Sequence, residues 1–173
     1  MMSKTLILMR HAKSDWRNPS LSDFERPLNK RGMLDAHKMG HWLADATSAE
    51  QPATHKVDQA NVILCSSARR AQQTLQLILL EMPNTPLIES LDALYLASKQ
   101  TLLSLLKRYF IHHHCVMLIG HNPGLDSVLQ YYCPNAPRTA NGKLMTTANI
   151  GIIQFDDLLN PTLHTLKRPK TIE

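Results

Sequence analysis

Residues 5–11 read Thr5-Leu6-Ile7-Leu8-Met9-Arg10-His11, an apolar run that stops at an arginine and a histidine. A short run of this kind, bounded by polar residues, predicts a buried β-strand. Two other stretches have the same form. Asn61 to Cys65 (NVILC) stops at Ser66-Ser67, and Cys115 to Ile119 (CVMLI) stops at Gly120-His121. Strands that are apolar along their whole length belong to a sheet covered on both faces.

The intervening segments supply that cover. Leu28 to Ala46 carries Met33, Leu34, Ala36, Met39, Trp42 and Leu43 near the helical period, and Ala68 to Glu81 carries Leu75, Ile78 and Leu79. Ser66-Ser67 is expected to cap the second of these helices. Lys99 to Ile111 and Gly124 to Tyr132 complete the predicted helices. Ile150 to Phe155 is predicted as a further strand, with Leu163 to Lys167 as its partner. Strands alternating with helices predict a three-layer α/β/α sandwich with a mostly parallel central sheet. No linker or repeat divides the chain, so residues 1–173 are read as one domain. Ala46 to Val57 and Pro134 to Lys143 are expected to be mobile loops.

Composition narrows the function. Apolar residues make up 43% of the chain, so a packed core is expected. No stretch approaches the roughly 20 apolar residues that span a bilayer, and no signal peptide is evident. The expectation is a cytoplasmic protein with no membrane partner. Cys65, Cys115 and Cys133 are odd in number and lack CxxC spacing, which argues against a disulfide framework or a zinc site. The net charge of +5 admits a nucleic-acid binder. However, there is no continuous basic helix and no aromatic platform, so no nucleic-acid partner is expected.

Ligands of such sheets sit outside the carboxyl ends of the strands. There the three apolar runs deliver Arg10-His11, Ser66 to Arg70, and Gly120-His121. Arg10 and Arg70 offer planar forks of donors that match phosphate oxygens. His11 offers a ring nitrogen able to attack phosphorus, and His121 offers a donor to an equatorial oxygen. Phosphoryl transfer needs mainly positioning and electrostatic stabilisation, and this set supplies both with no cofactor and no metal.

The motifs resemble the histidine phosphatase superfamily, which includes the cofactor-dependent phosphoglycerate mutases, and within it the SixA-type phosphohistidine phosphatases. The family's Arg-His-Gly is Arg10-His11-Ala12 here. Asp23-Phe24-Glu25-Arg26-Pro27-Leu28-Asn29-Lys30-Arg31-Gly32 resembles a SixA-type block, and Ser66-Ser67-Ala68-Arg69-Arg70-Ala71-Gln72-Gln73-Thr74 resembles Ser-x-x-x-Arg-Ala-x-Gln-Thr. Gly120-His121-Asn122-Pro123-Gly124 resembles the second histidine motif, and Thr146 to Ile150 the small-residue run before the last strand. Ala12 departs from the family's glycine, which matters only if that position needs a positive φ.

The resemblance implies a phosphoglycerate mutase-like fold and a phosphohistidine intermediate on His11. Arg10, Arg70 and His121 would complete the phosphate pocket, and Arg26 would extend the basic rim toward substrate. By position relative to Tyr95, Asp92 is the candidate proton donor and Glu89 the reserve. The implied partner is a histidine-phosphorylated protein, such as a phosphotransfer domain, or else a small phosphorylated substrate. A small-molecule phosphomonoesterase and a non-catalytic phosphoprotein-binding module are the alternatives. The oligomeric state is not legible.

Each feature also has a plainer reading. Asp92 at a loop-to-helix junction could be a cap, and Arg26 could form a surface ion pair. His112-His113-His114 reads as a solvated turn, since consecutive residues do not share one face. His37 and His41 read as an exposed helix face. Trp16 is expected to pack over the nucleophile loop.

Overall fold

Alternate side chains of each apolar run point to opposite faces of one sheet, and this alternation builds the molecule. The computed structural model describes residues 4–45, 60–82 and 86–172. Among them, β1 (Lys4–Arg10), β2 (Val62–Ser66) and β4 (Cys115–Gly120) lie side by side in the order β2-β4-β1, all parallel. Ile7, Met9, Ile63, Cys65, Met117 and Ile119 face one way and pack beneath α1 (Lys30–Ala44) and α2 (Arg69–Leu79). Leu6, Leu8, Val62, Leu64, Val116 and Leu118 face the other way, beneath α3 (Lys99–Tyr109) and α4 (Gly124–Tyr132). Burying one such side chain contributes about 1.5–3 kcal/mol. A one-residue slip would exchange the two faces, so packing fixes the register.

The sheet has six strands in the order β3-β2-β4-β1-β5-β6. β3 (Leu87–Leu91) extends the parallel part, whereas β5 (Ile150–Phe155) runs antiparallel to β1, and β6 (Pro161–Lys167) antiparallel to β5. The pairing expected for the last two strands is present, and so is the three-layer α/β/α sandwich.

Three local features differ from expectation. β3 was not among the predicted strands, because as an edge it buries little and Glu89 and Ser90 interrupt the apolar run. The α2 N-terminus is capped by Ala68 with no side-chain hydrogen bond, and Ser66 lies in β2 instead. α1 begins at Lys30 because the Asn29 side chain accepts from the Gly32 amide at 2.8 Å. The predicted loop Ala46 to Val57 lies outside the described residues. The segment from Pro134 to Lys143 contains a turn closed by Thr139 N–H donating to the Lys143 carbonyl at 2.9 Å.

All three cysteines are buried, and burial pushes the Cys65 and Cys115 thiols up to about 12. His37 and His41 reach the Glu81 carboxylate at 3.4 and 3.5 Å, so this helix face is paired across α1 and α2. Among the described residues, no helix is long and apolar enough to cross a membrane.

Candidate active site

The register of the central strands sets the site. Arg10 lies opposite Gly120 and Cys65 opposite Ile119, so the chain leaves β1, β2 and β4 at one level. The first residues beyond are held by backbone hydrogen bonds. His11 N–H donates to the Gly120 carbonyl at 3.1 Å, and Arg10 N–H to the Asn149 carbonyl at 3.1 Å. The Ala148 amide reaches the carbonyls of Arg10 and His11, at 3.1 and 3.2 Å. Ala148 adopts φ +60° to do so, a left-handed conformation that costs a non-glycine residue about 1–2 kcal/mol. Ala12 is absent from the positive-φ residues, so its methyl group is accommodated without backbone strain.

The loop after His11 is clamped from two sides. The Ala12 amide donates to Thr74 Oγ1 at 3.0 Å, and that hydroxyl donates to the Arg70 carbonyl at 2.7 Å. From the other side, α1 begins against Lys13. A Cβ on Gly32 would lie 2.2 Å from the Lys13 carbonyl oxygen, so only glycine allows this approach. The Asn29 amide donates to the same oxygen at 2.9 Å.

His11 is 7% exposed, and its ring is held in one tautomer. Nδ1 lies 2.7 Å from the Ala12 carbonyl oxygen, which can only accept, so Nδ1 carries the proton. Nε2 is left with its lone pair, and Arg70 Nε donates to it at 3.2 Å. Burial drives the His11 pKa down to about 3, against the bond to Ala12 and with the nearby positive charges adding to the fall. His11 is thus neutral at pH 7, with an unprotonated nitrogen facing the cleft, as a nucleophile requires.

His121, 3% exposed, stands with its ring centroid 4.9 Å from that of His11. Its Nδ1 lies 3.3 Å from Arg70 Nη2 and its Nε2 lies 2.8 Å from Ser66 Oγ. An arginine can only donate, so Nδ1 is the acceptor and Nε2 the donor. Burial first, then the Arg70 charge, lowers its pKa to about 4.

Arg70 is 4% exposed and organises the pocket. Besides both histidines, its guanidinium holds the Asp23 carbonyl and, at 2.9 Å, Asp23 Oδ2. Tyr95 Oη donates to the same carboxylate oxygen at 2.8 Å. Desolvation pushes Asp23 upward, but the Tyr95 and Arg70 hydrogen bonds and the Arg70 and Arg26 charges outweigh it and leave its pKa lowered. Arg10 donates from Nη1 to the Met145 carbonyl at 2.9 Å and lines the cleft.

The cleft encloses about 460 Å³, and its walls include Arg10, His11, Arg70 and His121 together with Asp23 and Asn122. Four of the sequence-predicted residues therefore converge. Two do not. Asp92 begins a short 3₁₀ turn, is exposed, and accepts from the Ser67 hydroxyl, away from the cleft lining. Glu89 on β3 accepts from the Tyr109 hydroxyl. Arg26 lies one step outside, its guanidinium 4.0 Å from the ring centre of Trp16 and its Nε 3.9 Å from Asp23 Oδ1. Trp16 lines the cleft beside the loop after His11, where its Nε1 donates to Ser14 Oγ at 3.0 Å, and it keeps 63% of its surface exposed.

Asp23, Tyr95 and Ser66 were missed as site residues. Asp23 opens the block that carries Arg26, and Ser66 opens the Arg70 motif, so both lay inside quoted motifs. Their roles depend on side-chain partners 47 and 55 residues away in the chain.

A model of the histidine phosphatase superfamily, branch 1, matches residues 6–94. Curated relatives include an uncharacterized chloroplastic protein of Arabidopsis thaliana, 31% identical over 72% of this chain and 57% of that protein. Another is an uncharacterized protein of Mycobacterium tuberculosis, 32% identical over 66% of this chain and 63% of its own length. The chain thus spans about three fifths of the curated relatives it matches. Among solved structures, a candidate phosphohistidine phosphatase SixA of Agrobacterium tumefaciens superposes with a TM-score of 0.77 at 26% identity, over 96% of this chain and 98% of that one. The protein histidine phosphatase SixA complexed with tungstate shares the fold at a TM-score of 0.76 and 20% identity, over 98% and 99% of the two chains.

Proposed function

The chain belongs to the histidine phosphatase superfamily, branch 1, and from that premise we propose that it is a metal-independent phosphohistidine phosphatase acting on histidine-phosphorylated protein. One observation carries the mechanism. His11 Nδ1 is committed to the Ala12 carbonyl, so the Nε2 lone pair is the one presented to the cleft, beside the Arg70 fork.

In this reading, Arg10 and Arg70 gather the phosphoryl oxygens, and His121 holds the Arg70 guanidinium in place by accepting from its Nη2. His11 Nε2 attacks phosphorus in line, forming a new N–P bond as the bond from phosphorus to the substrate imidazole breaks. That imidazole departs neutral because its second nitrogen is already protonated. Water then attacks phosphorus, the His11 N–P bond breaks, and inorganic phosphate leaves. The Ala12 carbonyl stabilises the positive ring of phosphorylated His11 by holding its Nδ1 proton. The arginines supply fixed positive charge where the transition state needs it.

The acid side of the site favours an N–P substrate over an ester. An ester departs as an alkoxide and needs a proton from the enzyme. Asp23, the carboxylate of the cleft lining, is held ionised by Arg70 and Tyr95 and is a poor acid. Asp92 and Glu89 are turned to other partners. A phosphorylated imidazole needs no such donor. Exposed Trp16 and Leu96 at the rim suit contact with a macromolecular substrate.

The test is turnover of a phosphohistidine peptide against phosphoserine peptide and sugar phosphates at one pH. The phosphohistidine peptide is expected to be hydrolysed faster, and faster hydrolysis of the esters refutes the proposal. Wild-type protein should also acquire acid-labile phosphate that a His11→Ala variant does not. A wild type that binds phosphopeptide but never acquires such phosphate is a binding module instead.

A further inference from the structure

Beside the catalytic cleft lies a second one of about 410 Å³. The two share Arg10, Lys13 and Thr147, so they form one continuous depression. The second is lined by six cations, Arg10, Lys13, Arg31, Lys143, Arg168 and Lys170, and its lining contains no carboxylate. These residues come from four separate parts of the chain. The short 3₁₀ turn Pro169–Thr171, with Pro169 buried, brings Arg168 and Lys170 to the residues that follow β1. Arg168 is fixed there by donating to the carbonyls of Pro137 and Leu144, both at 3.1 Å.

The six charges divide into two groups. Arg10 and Arg168 spend donors on backbone carbonyls, and Arg31 pairs with Asp35 at 3.3 Å. Lys13, Lys143 and Lys170 are exposed and have no carboxylate partner among the described residues. Like charges gathered in one cleft repel one another, an effect that water and salt weaken but do not remove. The fold obtains no ion pair from these lysines in return.

The chemistry of the charges indicates the ligand. The transferred phosphoryl group already has Arg10 and Arg70, whose rigid forks suit it. Exposed lysines on flexible stems are point charges without a fixed geometry. They match carboxylates whose positions vary, as on the acidic surface of a polypeptide, better than a second phosphate demanding bidentate capture. We infer that this second cleft docks Asp and Glu side chains flanking the phosphohistidine of the polypeptide substrate. The inference rests on the phosphohistidine reading for its place in turnover, and on the basic cleft alone for binding.

Two measurements on the full chain separate these. The first compares kcat/KM for two phosphohistidine peptides, one with acidic and one with neutral flanks. Wild type is expected to favour the acidic peptide about tenfold at low salt. The preference should shrink in 1 M salt, where the Debye length falls to about 3 Å. A K143E/K170E variant should lose it. Equal use of both peptides by wild type, or a preference retained in the variant, overturns the inference.

The second measures binding of an unphosphorylated, fluorescently tagged acidic peptide by anisotropy. The expected result is at least tenfold weaker binding in K143E/K170E and less than twofold change in K99E/K107E, on α3. Equal weakening in both overturns the cleft assignment. If a small bisphosphate displaces the peptide and its own binding falls with K143E/K170E, the cleft serves a small dianion and the polypeptide assignment fails. Should neither phosphohistidine peptide turn over, the proposed function fails, while the anisotropy result still decides what the cleft binds.

Discussion

Replacing Arg70 with lysine keeps the charge and removes the fork. In the folded protein Arg70 spans four partners: His11 Nε2 at 3.2 Å, His121 Nδ1 at 3.3 Å, Asp23 Oδ2 at 2.9 Å and the Asp23 carbonyl. A single ammonium on a shorter reach cannot hold this set in one geometry. Losing one preorganised donor to a developing oxyanion costs about 2.7–4 kcal/mol, which is about 100- to 1000-fold in kcat. The retained charge still attracts an anionic substrate, so the loss is expected in kcat with KM changed much less. The assay is steady-state hydrolysis of an activated aryl phosphate by wild type and Arg70→Lys. A thermal midpoint confirms folding, since a lost hydrogen bond or two of about 1 kcal/mol each lowers it by several degrees. A kcat within fivefold of wild type, or a loss carried by KM alone, refutes Arg70 as the organiser of transition-state charge.

The buried histidines fix the sign of the pH dependence. Their pKa values fall from 6.5 to about 3 for His11 and about 4 for His121. Between those values and 6.5 the unfolded chain binds more protons, so this contribution to stability is full above about pH 6.5 and is lost as pH falls toward 4. Denaturant midpoints at pH 7 and pH 5 should differ in that direction, and the His11 ring resonances should not titrate between pH 5 and 8; a His11 midpoint near 6.5 contradicts both. Asp92→Asn should leave turnover within about twofold, as for substitutions outside special environments, and a tenfold loss would restore Asp92 as the acid. Gly32→Ala should lower both the thermal midpoint and turnover, because its Cβ would sit 2.2 Å from the Lys13 carbonyl oxygen and push on the nucleophile loop. An unchanged midpoint would show that the α1 approach to Lys13 is not needed.

The sequence by itself determined the central strands, the helices that cover them and four of the residues that line the cleft. Apolar runs that end abruptly report where strands stop, and in a parallel sheet those stops share one edge. Arg10, His11 and His121 were legible from those stops, and the resemblance of Ser66 to Thr74 to the family motif singled out Arg70 from its neighbour Arg69. β3 was not, because an edge strand that buries little leaves a weak pattern. Nor was the full role of the Ser66 side chain, which accepts from the Ala68 amide before α2 and also from His121 Nε2.

Only the tertiary structure decided the rest, for one physical reason. Protonation, tautomer and charge pairing depend on burial and on neighbours distant in sequence. The chain shows a histidine at position 11; the fold shows that Ala12 takes the Nδ1 proton and that Arg70 waits at Nε2. The chain offers Asp92 by spacing; the fold turns it to Ser67 and brings Asp23 to the cleft, already bound to Arg70 and Tyr95. The same holds for the second basic cleft. Lys13, Lys143 and Lys170 are ordinary surface lysines in the sequence, and become one site only when the last turn closes against the loop after β1.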